Sequence, residues 1–359
     1  MKKYFGTIVA ILIGGLGGVM VALLGPRFLP ELESGMDIYM ILLSIVLAVY
    51  LHIIFHEGGH LVCGLLSGYK FVSFRVGSRI LIKRNGKYLL KKFNIPGTGG
   101  QCLLDPPEMV DGKYPVTLYN LGVGFANLLL SAGAMAALMM IPMHRYITIF
   151  LLCFVTMGVV LGLSNLIPLK VSGIANDGYN ILSLDKDPVG RKAFWQQIRV
   201  NRLQTDGIRM KDMDAELFDL ADSDVEGNPL VDQMKLFWMQ RLLDEKRFDE
   251  AKVYGKQLAN SKDSIQLFKL MVGVELLYLE LIGPCRDYVV NARYSKAIKK
   301  WLKSVKGYPS THRVKYVYAV RFAHDEKMAA KAKADFEKAI KTYPMAGEIE
   351  TEIELFEEV

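Results

Sequence analysis

The sequence predicts a mainly α, polytopic membrane protein: about four transmembrane helices, a small membrane-associated β-hairpin, and then a soluble helical domain. Three observations carry this prediction. Of 359 residues, 51% are hydrophobic and 23% charged, with a mean hydropathy of +0.22. That apolar excess is concentrated, because runs long enough to cross a bilayer occur only in the first half. Residues 1–184 hold 14 basic and 8 acidic side chains, hence six of the seven net positive charges. An ordinary soluble enzyme and a disordered chain are excluded. So is a secreted disulfide scaffold, since the four cysteines are scattered and form no CxxC pair.

The first span is expected at Phe5–Leu24, behind Lys2 and Lys3. Gly25-Pro26-Arg27 follows it instead of a small-residue cleavage site, which argues against a signal peptide. The other apolar runs are Ile38–Leu66, Val116–Ile141 and Tyr146–Ile167, the last ended by Pro168. The loop Tyr69–Lys92 carries eight lysines and arginines, and no acidic residue stands between Gly58 and Leu104. A basic loop between spans belongs in the cytoplasm, a simpler reading than nucleic-acid binding. With Glu31, Glu33 and Asp37 outside and Lys170 inside, four spans place both termini in the cytoplasm. Within the loop, Phe71–Arg84 and Lys87–Ile95 flank Asn85-Gly86, the strongest short hairpin signal. The Gly-rich bend Pro96–Gln101 lacks the lysine and the strand–helix frame of a phosphate loop.

Residues 185–190 read as a linker, dividing a membrane-embedded domain, 1–184, from a cytoplasmic helical domain, 185–359. Phe237, Trp238, Leu242 and Leu243 form one apolar stripe, and Phe248, Ala251, Tyr254 and Leu258 another. Ala332, Phe336, Ala339 and Pro344 fall at the spacings of a tetratricopeptide second helix, with Tyr316 and Ala319 suited to the first. Stacked helical hairpins are therefore expected, with a generic helical bundle as the alternative.

The second span contains His56-Glu57-Gly58-Gly59-His60. Residues i and i+4 share a helix face, so two imidazoles can reach one Zn²⁺, while Glu57 stands one step round as a general base. His, Glu and His are costly inside a bilayer and persist there chiefly for function. His52 extends the row by one turn and reads as a packing histidine, since a straight helix rarely gives one tetrahedral ion three ligands. A catalytic site needs a third ligand, for which Asp177 leads, its alternative role being a helix N-cap. Asn165 is the candidate oxyanion donor.

HExxH in one span, with Asn165-x-x-Pro168 and Asp177-Gly178 after it, resembles the site-2 proteases, a family of intramembrane zinc metalloproteases. The likeness covers about residues 38–184. It implies a three-helix core, cleavage of a membrane protein or peptide at membrane depth, and water access from the cytoplasm. Asn127 is similar to the asparagine of the family's Gly-Pro-x-x-Asn region, although the proline is missing. The hairpin with Gly99 and Gly100 resembles a membrane-associated β element that meets substrate. Asn165 and Asp177 stand twelve steps apart, against about eight in the family, and no room remains between the third and fourth spans for a PDZ domain. The expected partners are thus the lipid bilayer, a membrane-inserted substrate and a protein held by the C-terminal helices, with no nucleic acid. Two alternatives are a non-catalytic membrane scaffold that binds a partner through those helices, and a metal transporter using His52, His56 and His60. Glu57 argues against the scaffold, and the scarcity of polar residues in the first and third spans argues against the transporter.

Overall fold

The structure, a computed structural model, describes residues 5–29, 31–171, 173–261 and 264–359. Lys2 and Lys3, used above to orient the first span, lie outside the described residues. The elements run α1 (Phe5–Phe28), α2 (Gly35–Leu66), β1 (Lys70–Val76), β2 (Arg79–Arg84), β3 (Lys87–Lys92), β4 (Gly100–Asp105), α3 (Thr117–Met140), α4 (Arg145–Leu166), β5 (Lys170–Val171), β6 (Ile174–Ala175) and α5 (Asp177–Ser183). After these come α6 (Pro188–Asp206), α7 (Pro229–Asp244), α8 (Phe248–Asn260), α9 (Gln266–Ile282), α10 (Asp287–Arg293), α11 (Lys296–Ser304), α12 (Pro309–Tyr318), α13 (Glu326–Thr342) and α14 (Ala346–Phe356). The chain divides into two compact units, Met1–Phe71 with Gly99–Asp187, and Val72–Thr98 with Pro188–Val359. The basic hairpin is therefore grouped with the C-terminal helices.

In the first unit, α1, α2, α3 and α4 are each long and apolar enough to cross a membrane, as expected of a multi-pass membrane protein. The first helix runs four residues beyond the expected Leu24, through Pro26 to Phe28. Pro26 sits in the last turn, where its missing N–H costs only the bond to Ala22. The 32 residues of α2 make a rod of about 48 Å, longer than the ~30 Å hydrocarbon core, so it protrudes. Its first turn is capped by Asp37, which accepts from the Glu33 and Ser34 amides and from Arg145 Nη2 at 2.7 Å. That pair ties the starts of α2 and α4 together. Lower down, α2 and α3 touch backbone to backbone: a Cβ on Gly59 would collide with the Gly122 carbonyl, and one on Gly122 with Cys63. Small residues replace bulk at this crossing because helices in lipid associate by close packing.

In the second unit, β1, β2 and β3 form an antiparallel meander. The Asn85-Gly86 turn lies as expected, with φ of 48° and 75° and Arg84 paired to Lys87, the geometry that positive φ at both residues permits. The run Phe71–Arg84, read as one arm, is instead two strands folded at Gly77-Ser78. Gly77 has φ of 56°, and Val76 pairs with Arg79. One face of the hairpin buries Ile80 and Ile82 against Phe93 and Tyr343. Arg84 donates to the Thr205 and Pro344 carbonyls at 2.7 and 2.6 Å, and Lys91 to that of Tyr343 at 2.7 Å.

The helical core centres on α9, apolar almost all round and buried over most of its length. The stripes of α7 and α8 face it. In the α12–α13 pair, Ala332, Phe336 and Ala339 are buried, and Phe336 and Tyr316 each stack on Phe356 with ring centroids 4.3 Å apart. Of the stretch 185–190, read as a linker, only residues 185–187 form a turn; residues 188–190 already belong to α6, whose first residue is Pro188, where a missing N–H is harmless.

Candidate metal centre

His56 and His60 lie one turn apart on α2, their rings 5.7 Å apart and nearly perpendicular. Asp177 meets both: its Oδ2 is 3.8 Å from His56 Nε2 and its Oδ1 3.5 Å from His60 Nε2. One ligand atom from each residue lies within 4.8 Å of the others. Two ligands sharing a tetrahedral zinc, with bonds of about 2.0–2.2 Å, stand roughly 3.3–3.6 Å apart, so the spacing suits such an ion. The donor set fits as well. The Tyr119 carbonyl lies 3.1 Å from His60 Nδ1, which fixes a proton on that nitrogen and leaves the Nε2 lone pair toward the cluster. The Tyr119 ring tilts against His60 with centroids 4.5 Å apart, its hydroxyl donates to the Cys102 carbonyl, and Tyr69 stacks on it at 5.0 Å.

Asp177 arrives by a route that spacing alone does not reveal. After Pro168 the chain makes a miniature hairpin, β5–β6, with Lys170 opposite Ala175 and Val171 opposite Ile174. Leu169 and Asn176 close its base: the Asn176 amide donates to the Leu169 carbonyl, and the Leu169 amide to Asn176 Oδ1, each at 3.0 Å. The additional residues between Asn165 and Asp177 are thereby absorbed in an excursion that leaves and returns at one place. Asn176 also donates to the Ser164 and Ile167 carbonyls at 2.6 and 2.7 Å, and caps α5 by accepting from Tyr179 N at 2.9 Å. It satisfies the broken end of α4 and starts the helix that bears Asp177. The N-cap is thus Asn176, and Asp177 takes the first helical position. Gly178 is required for close approach, since a Cβ there would overlap the Leu166 carbonyl. Asn176, Tyr119 and Tyr69 were not singled out from sequence. The only signal for Asn176 was a cap-forming residue ahead of Asp-Gly.

The remaining candidates have these places. Glu57 is buried at 6% exposure, and a Cβ on Gly100 would come within 2.5 Å of its Oε1, so only glycine lets the strand lie over the carboxylate. Gly99 bears the same relation to Ile53. Asn165 donates to the Leu161 carbonyl at 2.9 Å, one turn back on its own helix, and would have to swing away to serve an oxyanion. Asn127 is fully buried, with Oδ1 3.2 Å from His52 Nδ1. His52 is wedged among three helices: Nε2 lies 2.8 Å from the Phe154 carbonyl, and the ring stacks on Phe154 at 4.1 Å. With Nε2–H donating to Phe154, Nδ1 is an acceptor. Turning the Asn127 amide over gives its otherwise unpartnered Nδ2 that acceptor. His52 is thus a packing histidine.

Two imidazoles, a carboxylate bridging them and a second carboxylate one residue away form a compact, largely buried set of lone-pair donors. Comparison of the chain with family models, with curated proteins and with solved structures finds no match.

Proposed function

We propose that this chain is a zinc-dependent intramembrane endopeptidase, hydrolysing a peptide bond in or next to a transmembrane segment of a membrane protein or membrane peptide. The observation that carries the reading is the convergence of His56, His60 and Asp177 beside buried Glu57 on a helix able to span a bilayer. His56 and His60 through Nε2, with Asp177 through a carboxylate oxygen, would hold the ion. Zinc there supplies a Lewis acid that activates water and polarises a carbonyl. Glu57 takes the proton of the attacking water and returns it to the leaving amine. The Tyr119 carbonyl keeps His60 in the ligating tautomer, and the Gly99-Gly100 backbone, drawn close over Ile53 and Glu57 because it carries no side chains, would meet an extended substrate. The basic hairpin and the helical unit would lie on the cytoplasmic side, the unit being suited to hold a protein partner.

The test is metal content measured beside cleavage of a co-expressed membrane-inserted reporter. Glu57→Gln should keep zinc and the fold while cleavage falls by at least about a hundred-fold. His56→Ala and His60→Ala should lose both zinc and cleavage. Full activity in Glu57→Gln would sink the mechanism.

A further inference from the structure

Packing of the helical unit leaves a small polar cavity. Gln204 of α6, Asp244 of α7, Glu275 of α9, Arg313 of α12, and Glu348 and Glu352 of α14 line it. Its free volume of about 20 Å³, swept by the centres of water-sized groups, holds one or two of them. Four carboxyls thus face one guanidinium. Arg313 lies 2.9 Å from Glu275 and 2.8 Å from Glu352, and its single charge can neutralise only one of the two. Asp244 is answered from beside the cavity by Arg209. Glu348 accepts from the Tyr343 hydroxyl at 2.7 Å and forms no ion pair among the described residues. Gln204 is only 3% exposed, yet its side-chain amide has no hydrogen-bonding partner among the described residues. A buried amide in that state is costly until something completes it.

We infer that this cavity is a binding site for a primary ammonium group, which donates to the Gln204 carbonyl and the Glu348 carboxylate and whose charge answers the surplus of acid. Size and charge select this chemistry. An ammonium is no larger than a water molecule and is a donor only. A guanidinium is too broad for a space that holds one or two such groups, and an anion would meet carboxylates in excess. A metal ion would want three ligand atoms gathered closely, which among the described residues is met by His56, His60 and Asp177 alone. The half-buried lining residues Gln240, Glu348 and Thr351 let a slender alkyl stem enter from solvent. The ammonium can belong to a free alkylamine or to a lysine side chain of a bound protein segment. The site lies wholly within the helical unit and holds whatever the His56 centre carries.

Thermal melting of the full chain in detergent, followed by intrinsic fluorescence, tests it. n-Butylammonium chloride is compared with tetramethylammonium chloride at equal ionic strength; the second ion has the same charge but no N–H and is too wide. Butylammonium should raise the helical unit's midpoint in a saturable way, and tetramethylammonium should not. Gln204→Leu and Glu348→Gln should each weaken the apparent affinity by about ten-fold or more, the loss of one hydrogen bond to a charged group. Glu348→Gln removes a charge and keeps the shape, so it decides the matter if Gln204→Leu fails to fold. A short lysine peptide, set against the same peptide with norleucine in its place, separates the two sources. Binding about ten-fold tighter than butylammonium, and lost with norleucine, assigns the cavity to a lysine side chain. Binding no tighter than butylammonium assigns it to a free amine. No saturable rise, an equal rise with tetramethylammonium, or an unchanged affinity in Glu348→Gln overturns the inference and leaves water as the cavity's occupant.

Discussion

In the helical unit the Arg313 guanidinium, 1% exposed, lies 2.9 Å from Glu275 and 2.8 Å from Glu352 and covers the Tyr278 ring. Arg209 joins Asp244 and Glu354 in the same way. In the apolar unit, His56, His60 and Asp177 also converge, but what they turn toward one another is two imidazole nitrogens, that of His60 with its lone pair inward, and a carboxylate. In the first arrangement each acid meets a guanidinium donor, with Arg313 Nη1 alone left over, and the cluster holds helices together. The second consists of acceptors and calls for a cation. Asp37 sharpens the contrast, because it lies in the same span as the histidines and is answered by Arg145. Buried charge alone therefore does not mark a site; the mismatch of donors and acceptors does.

Breaking one member of each cluster separates the two kinds. Asp177→Ala should abolish stoichiometric zinc binding and cleavage while leaving the helical unit's melting unchanged. Arg313→Met should do the reverse. It strands Glu275 and Glu352 in the core, a loss of about 3–5 kcal/mol for an uncompensated buried pair, and leaves zinc content at the wild-type level. Metal analysis and thermal melting of the full chain check both. If Arg313→Met melts normally, or Asp177→Ala keeps its zinc, the distinction fails.

A smaller effect is expected at Asn176, which touches no ligand atom of the cluster but fixes the start of α5 through four hydrogen bonds. Asn176→Ala should weaken zinc binding by about 10- to 100-fold, as for residues that orient ligands. Asn176→Asp retains an acceptor for Tyr179 and Leu169 but loses the donations to Ser164 and Ile167, so its affinity should fall between those of wild type and Asn176→Ala. Competition against a calibrated chelator reads the order, and an alanine variant binding as tightly as wild type would remove the residue's role.

What the sequence made legible, and what it hid, follows the range of the interactions. His56 and His60 are visible because i and i+4 share a helix face whatever surrounds them, and the spans because hydrocarbon demands unbroken apolar length. Asn85-Gly86 is visible because two adjacent residues tolerate positive φ. The Asn176 latch was hidden, since its partners are carbonyls freed where α4 breaks, and nothing in the spelling says that Leu169 and Asn176 will meet. The fold at Gly77 was masked by an alternation of apolar and basic residues that continues across it. The grouping of 72–98 with the helical unit depends on Arg84 and Lys91 reaching carbonyls more than a hundred residues away.

Glu348 tests the pairing rule from the opposite side and with the smallest expected effect. The Tyr343 hydroxyl donates to its carboxyl at 2.7 Å. Burial, with the Glu352 carboxylate nearby, raises its pKa from 4.5 to about 8. A carboxyl with a raised folded pKa binds its proton more tightly in the folded chain. Its contribution to stability is fully present below about pH 4.5, declines as the unfolded chain ionises, and is lost as pH passes the folded value of about 8. Melting of the helical unit should accordingly fall between about pH 5 and pH 9. Glu348→Gln keeps an oxygen for Tyr343 and cannot ionise. It should flatten that decline and raise the midpoint near pH 9, with little change near pH 5, where the native carboxyl is already protonated. A variant whose melting curve tracks wild type across the range would show that Glu348 is ionised in the fold and that a partner has been assigned to it wrongly.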